Sequence, residues 1–285
     1  MSNENEYLYI VATPIGNLGD ITYRAVEILS TVKLIAAEDT RHSRKLLSHY
    51  GINTKCIAIH EHNEQKAHKE LIEFIKQGNS VALISDAGTP LISDPGYILV
   101  QQAIVAGIKV IPIPGPSAVI AALSVSGLAS AKFTFYGFLP AKQSARIEIL
   151  QSVREQELTT IFYESPHRII ACLENMQQVF VPTRQVCLAR ELTKTFETIH
   201  TDEIQHLCEW VKADANQQKG EIVLLVSGHQ LKNTQEISAE DIDILSLLMS
   251  ELSVKKAASL TAKITGSSKN ALYSQALLLK NTQKE

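Results

Sequence analysis

The chain has 285 residues, 45% hydrophobic and 20% charged, enough to bury a sizeable core but long for a single compact globule. Lys plus Arg number 27 against 30 Asp plus Glu, a formal charge of -3, which argues against nucleic-acid binding through a broad basic face. Four scattered cysteines, Cys56, Cys172, Cys187 and Cys208, form no CxxC pair, so neither a zinc site nor a disulfide framework is expected and a reducing, cytoplasmic setting is.

The polar, acidic opening MSNENEYLYIVATP lacks the basic and apolar regions of an export signal, so no export is expected. Residues 8–115 then alternate short β-branched runs with helical patterns, the signature of a parallel α/β sheet. Strands are predicted at 8–13, 32–39, 55–61, 80–86 and 109–114, several of them apolar on both faces. Ile21, Ala25, Ile28 and Leu29 make a helical stripe behind an N-cap expected at Asp20, and Leu71, Ile72 and Ile75 make another. The uncharged stretch between Lys109 and Lys132 is long enough to span a bilayer, but Pro112, Pro114 and Pro116 exclude a spanning helix. A strand, a rigid loop and a short buried helix are expected there instead.

Residues 133–143 read as a crossover into a second unit. Strands predicted at 159–165, 185–191, 196–202 and 220–228 follow one another with only two helices, near 165–180 and 202–214, so a mixed α+β sheet is expected. After Gly228 a polar linker leads to three helical patterns: Ile244, Leu248 and Leu252; a second from Val254; and Leu272, Ala276 and Leu279 beyond the turn TGSS. They outline a helix-turn-helix module. Between 251 and 280, five lysines (255, 256, 263, 269 and 280) face Glu251 alone; a solvated helical face is the plainer reading of that excess. The expected division is an N-terminal α/β domain over 7–117, a second α/β domain over 118–229 and a helical module over 236–282.

Four loops fall at the carboxyl ends of predicted strands, where an open α/β sheet binds its ligand. TPIGNLGD (13–20) lacks the GxGxxG fingerprint of a dinucleotide site. AEDTRHSRK (37–45) sets an acidic pair before a basic cluster, SDAGTPLISDPG (85–96) carries two Ser-Asp pairs, and PGPSA (114–118) enters a helix. Each alone reads as an ordinary βα turn. Together, Gly/Pro loops expose rigid backbone N–H and C=O groups that suit a flat, polar ligand such as an adenosyl group, and Ser117 at a helix start can present N–H groups to an anion. No GxxxxGK[ST] arrangement is present, which disfavours a nucleoside triphosphate.

In order, TPIGNLGDIT, AAEDTRHSRKLL, SDAGTPLISDPG, PGPSA, FYESPHR and LARELTKTFE make the chain resemble the ribosomal RNA small-subunit methyltransferase I family, bacterial enzymes of the tetrapyrrole methylase superfamily. The resemblance runs from about residue 7 to 228, and the helical tail resembles one in that family. It implies a tetrapyrrole-methylase-like (class III methyltransferase) α/β fold of two domains, the first a parallel α/β domain and the second a mixed-sheet α+β domain, plus a small helical C-terminal tail. It further implies S-adenosylmethionine as methyl donor, 2'-O-methylation of a cytidine ribose in the decoding centre of 16S ribosomal RNA, and a homodimer. Carried over residue by residue, the donor site comprises Pro14, Ile15, Asp86, Gly88, Thr89, Ser117, Ala118, Tyr163 and Ala189. The tetrapyrrole methylases proper carry a Gly-Asp-Pro motif in the third loop, whereas here Ser85 and Ala87 flank Asp86.

A ribose hydroxyl is a poor nucleophile until its proton is removed. Glu38, Asp39 and Glu164 lie near predicted strand ends; Asp39 or Glu164 is the expected base, with Arg41 and Arg168 on flanking phosphates. Each acid precedes a helical pattern, so an N-cap role competes. No metal is expected: His60-Glu61-His62 has no third ligand in view. His167 is a further candidate for the cleft, whereas Trp210 and Phe74 fit core positions. Competing functions are methylation of a tetrapyrrole or other small molecule, and a metabolite-sensing regulator whose tail binds nucleic acid.

Overall fold

The computed structural model describes residues 7–59, 64–94, 96–229 and 237–282. The chain divides after Gly228 into an α/β body and a helical unit.

The first half of the body builds one five-stranded sheet from β1 (Tyr7–Val11), β2 (Leu34–Ala37), β3 (Cys56–Ala58), β4 (Val81–Ile84) and β5 (Lys109–Ile113). Its order is β3-β2-β4-β1-β5, with every pair parallel. Helices α1 (Tyr23–Thr31), α2 (Thr40–His49), α3 (Glu64–Lys76) and α4 (Tyr97–Val105) connect the strands. β2 and β4 are buried at every residue, because alternate side chains feed two separate cores: Leu34 and Ala36 pack with Leu71 and Ile75 on one face, Ile35 and Ala37 with Leu29 and Leu47 on the other. The N-cap expected at Asp20 sits elsewhere. Asp20 closes a 3-10 turn, and the Thr22 hydroxyl caps α1 by accepting the Ala25 N–H at 3.1 Å.

The second half follows α5 (Ala118–Val125) and contains β6 (Phe133–Phe138), α6 (Gln143–Ser152), β7 (Thr159–Glu164), α7 (Ile169–Val179), β8 (Gln185–Arg190), β9 (Thr198–Glu203), α8 (Ile204–Ala213) and β10 (Ile222–Val226). The order is β6-β7-β10-β8-β9; β6 joins β7 in parallel and the other pairs are antiparallel. Residues 133–143 are therefore no plain crossover. They supply the edge strand β6, whose register on β7 is broken by a bulge between Phe135 and Gly137, before α6 begins. Ile15 from the first half packs with Val119, Ile161, Ala189 and Val223, so a common apolar layer joins the two sheets.

The helical unit comprises α9 (Ala239–Glu251), α10 (Val254–Thr265) and α11 (Lys269–Thr282) around Leu245, Ala257, Ala258, Leu272 and Ala276. A capping box starts α9: Ser238 Oγ accepts the Asp241 N–H at 3.0 Å and the Asp241 carboxylate accepts the Ser238 N–H at 2.9 Å. The predicted turn at 265–268 separates α10 from α11.

Candidate functional site

The loops at the carboxyl ends of β1, β4 and β5 meet β7, β8 and β10 around a cleft of about 300 Å³, within the size range of small-molecule sites. Hydrogen bonds between loops fix its first wall. Thr13 and Gly88 exchange backbone N–H···O bonds of 2.8 and 3.0 Å, and Thr89 Oγ1 donates to the Pro116 carbonyl at 3.0 Å. A Cβ on Gly16 would lie 2.8 Å from the Leu192 carbonyl oxygen and 2.9 Å from Thr193 Oγ1, so the loop after β1 is pressed against the loop after β8. Among the described residues, the non-glycine positions with positive φ are Leu91, Ser93, Glu191 and Thr193. All four belong to the segments after β4 and β8 that border the cleft, where strain is held by the surrounding packing.

Of the residues expected at the donor site, Ile15, Gly88, Thr89, Ser117, Ala118, Tyr163 and Ala189 line the cleft. Pro14 and Asp86 stand behind this lining. Asp86 Oδ1 accepts the Asp39 N–H at 3.1 Å, and the Asp86 N–H donates to Glu38 Oε2 at 3.5 Å, so Asp86 ties the loop after β4 to the end of β2. The apolar side chains of Ile15, Ala118 and Ala189, beside the opening of α5 at Ser117 and the carboxylates of Asp94 and Glu221, fit a ligand with a flat apolar ring, a polar sugar and a charged end.

The two acids expected to accept a proton occupy different surroundings. Asp39 caps α2: its carboxylate accepts the Arg41 N–H at 2.7 Å and pairs with Arg41 Nη2 at 3.2 Å. Those hydrogen bonds from Arg41, side chain first and backbone second, hold its carboxyl below the usual value. It is absent from the lining of the cleft. Glu164 does reach the cleft wall, but its side chain is fully buried, accepts the Ser165 N–H at 2.7 Å and pairs with Arg168 Nη2 at 2.8 Å. It is no helix cap, since α7 begins after Arg168. The Arg168 guanidinium is engaged on three sides, by Glu164, Ser165 Oγ and the Leu139 carbonyl, whereas the Arg41 side chain stands 88% exposed.

His167 is exposed and does not line the cleft. His60, Glu61 and His62 lie outside the described residues, among which no group of three metal-ligating side chains occurs. Trp210 packs on the core of the second half and stacks against His200, and Phe74 packs on the core of the first.

Lining residues that the motifs did not single out include Asp94, Phe138, Leu192, Glu221 and Val223. Asp94 belongs to the second Ser-Asp pair of SDAGTPLISDPG, and this repetition was its one signal in the sequence. Burial raises its carboxyl above the ordinary value, reinforced by the Asp86 carboxylate and opposed by the Ser85 hydroxyl. Glu38 is raised too, by burial and then by Asp86 and Asp94. Tyr163, across the cleft, is pushed up to about 12 by burial and by Asp94.

Two sheets of this order closing on one cleft define a protein of the tetrapyrrole methylase class. The family model for Tetrapyrrole (Corrin/Porphyrin) Methylases matches residues 7–208, and that for the RsmI C-terminal HTH domain matches 235–280. The fold is shared with the methyltransferase CobJ (TM-score 0.59, 17% identity, 78% of this chain and 94% of that one) and with uroporphyrin-III-C-methyltransferase from Thermus thermophilus (TM-score 0.54, 16% identity, 78% and 94%). Much nearer in sequence are proteins named ribosomal RNA small subunit methyltransferase I. That of Pseudomonas aeruginosa is 55% identical over 95% of this chain and 96% of its own length, and that of Escherichia coli O157:H7 52% identical over 96% of both. The chain belongs to the ribosomal RNA small subunit methyltransferase I family.

Proposed function

We propose that this chain methylates the 2'-hydroxyl of a cytidine ribose in the decoding centre of 16S ribosomal RNA, with S-adenosylmethionine as donor. The observation that carries this reading is the near-full-length kinship with proteins named for small-subunit ribosomal RNA methylation, spanning both the cleft-bearing body and the helical unit. That breadth favours ribosomal RNA over a tetrapyrrole as substrate.

The donor would be held by Ile15, Gly88, Thr89, Ser117, Ala118, Tyr163 and Ala189, with Pro14 and Asp86 supporting the loops behind them. When bound, it supplies an electrophilic methyl group activated by the positive charge on its sulfur. The chain's own part is to keep the acceptor oxygen in line with that group and to exclude water, a task suited to the apolar walls and the hydrogen-bonded loops of the cleft. Arg41, whose side chain is 88% exposed, would hold a phosphate of the RNA; Arg168 fixes the cleft wall through Glu164. Ile104 and Val105 on α4 and Ile120 and Val125 on α5 are exposed apolar side chains of the kind a second copy would cover in a homodimer. Among the described residues no helix is long and apolar enough to cross a membrane; it is the ribosomal substrate that would place the work in the cytoplasm.

The test is to incubate the purified protein with methyl-labelled donor and small subunits from a strain lacking the modification. One labelled 2'-O-methylcytidine in 16S ribosomal RNA is expected; unlabelled RNA, or label on a base, overturns the reading.

A further inference from the structure

We infer that Asp94 is the general base that removes the proton from the acceptor hydroxyl. This inference rests on the methyl-transfer reading above. Three carboxylates line the cleft: Asp94, Glu164 and Glu221. Glu164 is paired with Arg168, and Glu221 accepts from Lys194 Nζ at 2.8 Å. A carboxylate so neutralised is a weak acceptor for a further proton. Asp94 has no cation paired with it among the described residues, and Asp39, the other acid expected to act, is spent on capping α2 outside the lining.

The loop that carries Asp94 is held in place. Leu91 and Ser93 adopt left-handed backbone conformations, φ 77° and 74°, a cost tolerated where neighbours over-determine the chain. Ser93 Oγ lies only 3.0 Å from where a Cβ on Gly137 would sit, so the loop tip from the first half rests on edge strand β6 of the second. That placement sets Asp94 at the seam of the two halves, with Tyr163 of β7 opposite. Burial first and the Asp86 carboxylate favour the protonated form against the opposing Ser85 hydroxyl, and the balance is upward, which strengthens Asp94 as a base relative to an ordinary exposed carboxylate.

In the step, a lone pair of the ribose 2'-oxygen forms the new O–C bond while the C–S bond breaks with its electron pair left on sulfur. The hydroxyl proton passes to an Asp94 carboxylate oxygen and then to water. Charge balances: once the methyl group has moved, the sulfur is a neutral thioether and Asp94 a neutral acid, and loss of the proton to water then restores the Asp94 carboxylate.

The test compares wild type, Asp94→Asn and Asp94→Glu in single-turnover methyl transfer to small subunits across acid to neutral pH, with donor binding measured by calorimetry on the same preparations. Wild type should show a rate that rises with pH as Asp94 ionises and then levels; Glu38, Asp86 and Tyr163 face it, and removing a neighbouring carboxylate in Glu38→Gln or Asp86→Asn should displace that limb to lower pH without abolishing it, whereas Tyr163→Phe, which removes no charge in this range, should leave its position in place. Asp94→Asn should lose about 10²–10⁴-fold in rate and the acid limb with it, while donor affinity stays within about threefold. Asp94→Glu should regain part of the rate with the limb at a displaced pH, which separates a proton acceptor from a structural support. If wild type labels small subunits and Asp94→Asn keeps its rate, the base role falls while the proposed function stands. A parallel loss of donor binding in Asp94→Asn, or an Asp94→Glu limb that does not move, also overturns it. Failure of wild type to label small subunits defeats the substrate reading, and the base role with it.

Discussion

Arg168 Nη2 donates to Glu164 Oε1 at 2.8 Å at the cleft wall, where the Glu164 side chain is wholly buried and that of Arg168 26% exposed. Such a pair is weak evidence for net stability, but removing one member strands the other. Arg168→Met should therefore cost about 3 kcal/mol, because the Glu164 carboxylate is left buried without a cation, held by the Ser165 N–H and the weak Cys172 thiol. Glu164→Gln combined with Arg168→Met should restore more than half of that loss. Denaturant unfolding of both single variants and the double variant measures the coupling; costs that simply add would show that the pair does not interact.

Gly16 and Gly51 make a matched contrast in the first half. At Gly16 a methyl group meets the Leu192 carbonyl and Thr193 Oγ1, whereas at Gly51 it meets open space but sits on a left-handed backbone, φ 65°. Gly51→Ala should cost about 1 kcal/mol from backbone strain and leave donor affinity untouched. Gly16→Ala should cost about 1–3 kcal/mol and, by pushing the loops after β1 and β8 apart, weaken donor binding about tenfold, or 1.4 kcal/mol. Melting temperatures and donor titrations on the same samples check both; equal donor affinity in the two variants would refute the interlock.

Much of the body was legible because its strands are buried on both faces: runs such as LIAA and VALI permit little but a sheet covered by helices. The cleft loops were legible for a related reason, since Gly and Pro cluster where the backbone must turn and approach a ligand. What escaped notice is equally physical. Helix α6 buries Arg146, whose Nε donates to Asn175 Oδ1 at 2.9 Å, so a charge stands where an apolar stripe would have announced a helix. Strand β6 is an edge strand broken by its bulge, and its composition reads as a connection. Asp94 left only the repeated Ser-Asp pair as a mark in the sequence, because its burial beside Asp86 and its place in the cleft arise only when the loop folds.

Tyr163 is expected to titrate far above a free phenol, at about 12, through burial first and the Asp94 carboxylate second. A phenol whose folded value lies above its unfolded value of 10 keeps its proton in the native state after the unfolded chain has lost it. Stability is thus unaffected below pH 10 and declines as pH rises from about 10 towards about 12. In Tyr163→Phe this part of the alkaline decline should disappear, and the ultraviolet titration should lack one late-ionising tyrosine. A Tyr163→Phe variant with the wild-type alkaline profile would show that Tyr163 ionises normally.

Arg41 stands in the first turn of α2 with Arg44 and Lys45 close behind, at the helix end where the macrodipole disfavours cations. The Asp39 cap offsets part of this, yet the Arg41 side chain remains 88% exposed, so a basic cluster is presented outward at some local cost. The charge distribution of the whole chain gives that cluster weight: 20 basic residues face 24 acidic ones up to residue 230, and 7 face 6 beyond it. An acidic surface repels RNA except where basic groups concentrate, which favours a structured target docked at a few phosphates over general attraction. Arg41→Ala should weaken small-subunit binding and reduce the slope of log affinity against log salt by about 1, with donor affinity unchanged. Binding measured over a range of salt concentrations decides it, because a variant that loses affinity with no change in slope has lost shape complementarity and not a phosphate contact.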